Sequence, residues 1–309
     1  MKKFAKITGI TILVLFIIGV VMAAIGAIGG GASALNKMAS LGELSFGPED
    51  LNFGKWSKNI NVVYEIDDEI MFNNSFDIIT ADSYSRNFEG ESISALMLNL
   101  SGGEVEICEG TKEYWEVLVS GVGRFQTYVE NGTLYVLGVQ EGLNVEVGEV
   151  TIYVPENTSL NSAQIALGAG AMEVERLSAA ELEMSVGAGE IAVEKLQSDK
   201  AELSVGAGEI LVNGGEIGEL KANVGMGAME VEGTIKGNID ANVSMGELCI
   251  TVYGSEREDH NYDLSCAAGN LEVGGRDYSG VGVSMEMDNE AATTYKLDCQ
   301  LGSIVLDFK

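Results

Sequence analysis

Five stretches of this chain carry one arrangement of apolar and polar positions: LGAGAMEV from Leu167, VGAGEIAV from Val186, VGAGEILV from Val205, VGMGAMEV from Val224 and VSMGELCI from Val243. Their starts are 19 residues apart throughout. With the first glycine numbered zero, apolar residues fall at minus five, minus three and minus one, then at plus four and plus six. That is alternation with period two, the pattern of a half-buried strand. The minus-one column reads Leu167, Val186, Val205, Val224, Val243, and the plus-four column reads Met172, Ile191, Ile210, Met229, Leu248. The columns between are polar: Gln164, Glu183, Glu202, Lys221, Asp240 at minus four and Ala166, Ser185, Ser204, Asn223, Asn242 at minus two. These columns, Ser204 among them, are expected to meet solvent.

Two short strands joined by a Gly-x-Gly bend cannot bury an apolar face alone, but they can when successive copies stack about 4.8 Å apart. The pattern therefore predicts an all-β protein, a parallel β-solenoid with coils of about 19 residues. Glycine at zero and plus two implies a corner that needs positive φ or a close backbone approach. Four copies keep both glycines, and the fifth has Ser244 and Gly246. Weaker echoes occur around Gly103, Gly148, Gly269 and Gly302, so the repeat domain is expected over residues 91–309, with strict repeats at 162–252. Its irregular, aromatic-richer ends read as caps against edge pairing.

Hydropathy of another kind marks the N-terminus. Residues 7–28, ITGITILVLFIIGVVMAAIGAI, form an uncharged apolar run of 22 residues, long enough to cross a hydrocarbon core as a helix. Lys2, Lys3 and Lys6 precede it, and the 47 acidic residues all follow. By the positive-inside rule residues 1–6 are a cytoplasmic tail, 7–28 a transmembrane signal anchor, and the remainder is extracytoplasmic. The run exceeds the usual apolar region of a secretory signal, so an uncleaved anchor is expected. Gly19, Ala23 and Ala27 make a small-residue face on which a weak homodimer can form in the membrane. Residues 29–90, opening on Gly29-Gly30-Gly31, are expected to be a juxtamembrane linker with some strand.

Charge narrows the functional classes. The formal charge is −29, and beyond residue 36 there are 15 basic against 47 acidic residues. Such a surface repels phosphate backbones and anionic membranes, so nucleic acid is not an expected partner.

The segment VTIYVPENTSLNSAQIALGAGAMEVERL, residues 150–177, followed by repeating GAGEI units, resembles the bacterial "putative adhesin" β-strand-repeat domains of unknown function. The resemblance covers about residues 91–308. It implies an extracytoplasmic or membrane-associated β-solenoid, in some relatives encoded near cell-envelope stress systems, and it carries over no catalytic residue.

Candidate chemistry is sparse. The GAG turns fail the dinucleotide fingerprint, because Glu173, Ala192 and Leu211 stand where its third glycine belongs and no helix N-terminus follows. His260 lies in the charged run SEREDHN and is expected to be a solvated loop histidine. The four cysteines, Cys108, Cys249, Cys266 and Cys299, form no CxxC pair and read as small buried apolar residues. Stacking would set Glu183 above Glu202 and Glu190 above Glu209, which a divalent cation could relieve, but solvated, salt-screened glutamates are the expected reading. Residues 162–250 hold no Phe, Tyr or Trp, so any sugar site belongs near Trp56, Tyr114, Trp115, Tyr128 and Tyr135 or near Tyr253, Tyr262, Tyr278 and Tyr295.

The sequence thus leads to no catalytic, metal or cofactor site. It leads to a non-catalytic, membrane-anchored scaffold, adhesin-like or an accessory to envelope sensing, whose partner is an envelope protein or glycan. The alternative is a β-helix carbohydrate-active enzyme or a glycan-binding protein of the envelope, which would need convergent acids and aromatics in a groove.

Overall fold

Hydrogen bonding turns the 19-residue phase into stacked coils. The computed structural model describes residues 72–73, 75–80, 83–121, 123–139 and 148–309, all within one unit, Val62–Lys309. The predicted membrane span, residues 7–28, lies outside the described residues. Among the described residues no helix is long and apolar enough to cross a membrane.

The fold is all-β with parallel coils. Strands Leu160–Leu167, Leu177–Val186, Leu196–Val205, Gly215–Val224 and Ile239–Val243 pair in parallel on one face. Ala171–Val174, Glu190–Val193, Glu209–Val212, Ala228–Ile235 and Glu247–Val252 do so on the other. Register follows the repeat: Val186 pairs with Val205, Val205 with Val224, and Val224 with Val243. All four are buried, as are the plus-four and plus-six columns.

Each ten-residue strand also turns a corner. Leu177 and Ala179 are buried, then Leu182, Met184 and Val186, so the buried phase changes parity at Ala180. Pairing skips Ala180, Asp199 and Gly218 there. This short third side, with Leu196 and Ile217 in the following coils, carries too few apolar positions to show as alternation.

The order of coils in space is not their order in the chain. Residues 95–110 lie between strands Thr133–Val139 and Glu149–Pro155 on one side and residues 160–174 on the other. At the other end, residues 294–308 insert between 239–252 and 261–273. The stack holds nine layers among the described residues, running 133–139 with 149–155, then 95–110, five regular coils, 294–308 and 261–273, and spans about 40 Å.

One glycine column runs the whole length in that same spatial order: Gly148, Gly103, Gly170, Gly189, Gly208, Gly227, Gly246, Gly302, Gly269. A Cβ on each after the first would meet the carbonyl oxygen of its predecessor at between 2.1 and 2.6 Å. That carbonyl accepts from the residue after the next glycine, as in Glu209 N–H to Gly189 O at 2.8 Å. Of the Gly-x-Gly corner glycines in the five strict copies only Gly170 has positive φ, so close approach is what the corner demands.

Antiparallel strands finish both ends. Arg124–Glu130 pairs with Thr133–Val139 through an Asn131-Gly132 turn, both residues at positive φ. Glu116–Ser120 and Ser83–Asn87 extend the second face. At the far end Val283–Met287 pairs with Asn261–Cys266, and Arg276–Asp277 with Asn270–Val273. Residues from the predicted linker join the first cap: buried Gln126 donates to the carbonyls of Asn73 and Phe76 at 2.8 Å and accepts from Asn73 N–H.

Candidate functional site

The outer side of the first face carries a groove of about 460 Å³. Its floor is Ala163, Leu182, Ala201 and Leu220, the outer edge of the minus-five core column. Its walls are two rows of polar residues, because outward positions flank each buried one on a strand. One row is Ser162, Glu181, Lys200, Glu219 and Asn238, and the other is Gln164, Glu183, Glu202, Lys221 and Asp240.

Opposite charges are neighbours along much of both rows. Glu181 pairs in register with Lys200 and Lys200 with Glu219, while Glu202 pairs with Lys221 and Lys221 with Asp240. Lys221 Nζ donates to Glu202 at 2.8 Å, and Asn223 donates to the same carboxylate. Glu183 does stand above Glu202, as expected, but its load is shared with Gln164, which donates to it at 3.3 Å. Five carboxylates face two ammonium groups, so the groove leans acidic and holds hydrogen-bonding groups of both kinds. Beyond Gln164 the second row continues into Met97 and Tyr135, and Tyr135 stacks on Tyr128, which stacks on Phe76.

The second face is more uniformly acidic. Glu190 pairs in register with Glu209. Partial burial raises the Glu209 carboxyl above its ordinary range, and the charges of Glu190, Glu230 and Glu247 raise it further. Among the described residues no group of His, Cys, Asp and Glu is arranged to hold a metal ion.

Three expectations are corrected. His260 is not solvated: it is buried in the second cap, stacked on Tyr295 with centroids 4.1 Å apart and facing Phe308 at 5.7 Å. Its Nδ1 lies 2.7 Å from Thr293 Oγ1, and its Nε2 is 3.2 Å from both Ser255 Oγ and the Tyr295 hydroxyl. Burial lowers its pKa, opposed by the Asp259 charge. The 3₁₀ turn Arg257–Asp259 ends the charged run and directs the ring inward, which charge content alone concealed. Second, only Cys266 and Cys299 are buried, in register on adjacent coils. Cys108 and Cys249 stand on the outward side of the second face, half-buried, and burial among carboxylates pushes the Cys249 thiol up to about 12. Third, Ser204 points outward yet is buried, with Asn223 donating to it at 3.4 Å.

The aromatic residues divide as core and cap. Trp115, Tyr128, Tyr262 and Tyr295 are buried, Arg257 donates to Tyr278, and Trp56 lies outside the described residues. The Glu181, Lys200 and Glu219 row was missed in the sequence because attention to one polar column hides its neighbour two residues away. The exposed Met226, Met245 and Leu301 were missed too, although each is the central residue of a Gly-x-Gly-type corner.

The family model described as Toastrack DUF4097 matches residues 93–285. Among solved structures, a "putative adhesin" from Bacteroides fragilis is similar at 13% identity, covering 72% of this chain and 96% of that one, with a TM-score of 0.38. A "putative cell adhesion protein" from Clostridium sporogenes is 15% identical, with 74% and 99% covered and a TM-score of 0.31. A "putative lipid binding protein" from Parabacteroides distasonis is 16% identical, with 74% and 95% covered and a TM-score of 0.34. No curated protein matches.

Proposed function

Because this chain belongs to the Toastrack DUF4097 family, we propose that it is a non-catalytic, adhesin-like binding module of the cell envelope, held at the membrane by residues 7–28 with its coils outside. The observation that carries this reading is the groove between the Glu181–Lys200–Glu219 and Glu183–Glu202–Lys221 rows. It crosses the coils rather than following a strand, so beyond the uncharged Ser162 and Gln164 each of the next four coils offers one or two charged groups about every 4.8 Å. An extended ligand lying along the stack meets a periodic set of acceptors.

The excess of carboxylates selects for ammonium groups, and Lys200 and Lys221 leave room for hydroxyls or an occasional anion. A lysine-bearing extended segment of an envelope protein and an envelope glycan with free amino groups share that chemistry. Adhesion names attached to similar structures agree with a binding role.

The test uses purified full chain in detergent micelles, exposed to an octalysine peptide and to cell-wall glycans before and after N-acetylation. Saturable binding that falls on acetylation, with ligand length unchanged, supports the reading. Shortening of any glycan that ceases when one or two carboxylates are replaced would overturn it in favour of a carbohydrate-active enzyme.

A further inference from the structure

We propose that the strand Val283–Met287 is a self-association edge, pairing antiparallel with the same strand of a second copy to join two solenoids end to end. The proposal does not depend on what the groove binds.

The outer edges of the two faces are treated differently by the sequence. Arg124–Glu130 is bridged by Ile79, whose N–H and C=O both bond Phe125. Ser83–Asn87 carries Arg86, which donates to Thr127 O at 2.9 Å. Arg276–Asp277 is two charged residues long. These edges are bridged, tied back through a cation or only two residues long, devices that resist association; Ser83–Asn87 equals Val283–Met287 in length and in number of charges, and differs in having Tyr84 as its one apolar side chain. Val283–Met287 is five residues long with Glu286 its one charge, and among the described residues it pairs on one side only.

Its side chains also leave the core open. Val283, Met285 and Met287 pair with buried Cys266, Leu264 and Tyr262, so they lie on the core-facing side of the sheet. Met285 is nevertheless 40% exposed, and Val281, just before the strand, is 90% exposed. A solenoid end that shows its core side to water lacks its last layer. A second copy supplies one.

The strand is complementary to itself. Antiparallel pairing about Met285 sets Val283 opposite Met287, Ser284 opposite Glu286 and Met285 opposite its own counterpart. Glu286 then faces a hydroxyl donor rather than another carboxylate, which directly opposed like charges would penalise. The result is a two-fold, isologous contact. Both copies are strongly acidic, so the dimer tightens as salt screens their repulsion, opposite to a charge-driven contact.

The experiment is done on full chain in detergent micelles. Residues on the two-fold axis have Cα atoms within disulfide reach, so Met285→Cys treated with diamide should give a covalent dimer well above the wild-type level, and Ser284→Cys should not. By light scattering, on a chain whose small-residue membrane face is filled by Gly19→Leu, Ala23→Leu and Ala27→Leu, the protein should be dimeric, more so at 0.5 M than at 0.05 M salt, and the same chain with Met285→Lys monomeric with unchanged melting temperature. Equal cross-linking of the two cysteine variants, or a dimer that survives Met285→Lys, would overturn the proposal. So would a monomeric chain with Met285 in place. If Met285→Lys fails to fold, the cysteine pair decides.

Discussion

A Cβ placed on Gly227 would lie 2.1 Å from the carbonyl oxygen of Gly208, the glycine at the same corner of the coil before it. The same contact recurs along the nine-glycine column, so the corner holds the coils at strand spacing by excluding side chains. Gly227→Ala should cost roughly 3 kcal/mol through forced backbone displacement, lowering the melting temperature by about 6–12 °C. Ala207→Met, at the central corner position where Met226 and Met245 already stand exposed, should shift it by no more than about 1–2 °C. Thermal unfolding followed by circular dichroism compares the two.

Val205 is fully buried between Val186 and Val224, while Gln197 is exposed on the same strand beside Glu216. Val205→Lys should therefore cost more than about 4 kcal/mol through an unpaired buried charge, and Gln197→Lys should be neutral. Denaturant midpoints measure the contrast, and equal midpoints would refute the assigned phase. Ser204 is not a suitable silent control, since Asn223 covers it.

The repeat made this part of the fold readable. Glycine spacing and period-two columns located the buried residues on two sides of each coil because those sides obey simple alternation. Leu177, Leu196 and Ile217 escaped because their side turns a corner and changes parity after two or three residues. The insertion of residues 294–308 inside 261–273 escaped for another reason. Tyr262, Leu264 and Cys266 match Tyr295, Leu297 and Cys299 position for position, so either coil fits either place by pattern. The polar groove was half legible: the minus-four row was visible, whereas its partner row and the floor between them emerge only when strands are laid side by side.

His260 supplies a pH dependence with a definite sign. Its folded pKa lies below its ordinary value, because burial against Tyr295 and Phe308 disfavours the charged ring. The neutral ring's contribution is therefore fully present above pH 6.5 or so and is lost as pH falls through the lowered value. His260→Asn removes that term. Wild-type stability should exceed the variant's at pH 8, and the gap should narrow progressively towards pH 5, as read from melting temperatures of both. A gap independent of pH would show that the ring does not change charge on unfolding.

The topology proposed from residues 1–28 has its own outcome. In intact cells, externally added protease should remove an epitope placed after Lys309 and leave one placed before Lys2 untouched. Protection of the C-terminal epitope until cells are lysed would place the coils inside.

The claim that the groove, rather than overall acidity, binds the ligand is tested most directly by moving the same charge change between faces. Glu183→Lys/Glu219→Lys reverses two groove carboxylates, and Glu190→Lys/Glu230→Lys reverses two on the second face, an identical change in net charge. Affinity for octalysine, measured by calorimetry on the full chain at physiological salt, should fall at least tenfold in the first variant, a loss of about 1.4 kcal/mol, and stay within twofold of wild type in the second. Equal losses in both variants would contradict the account, because bulk charge would then explain the binding.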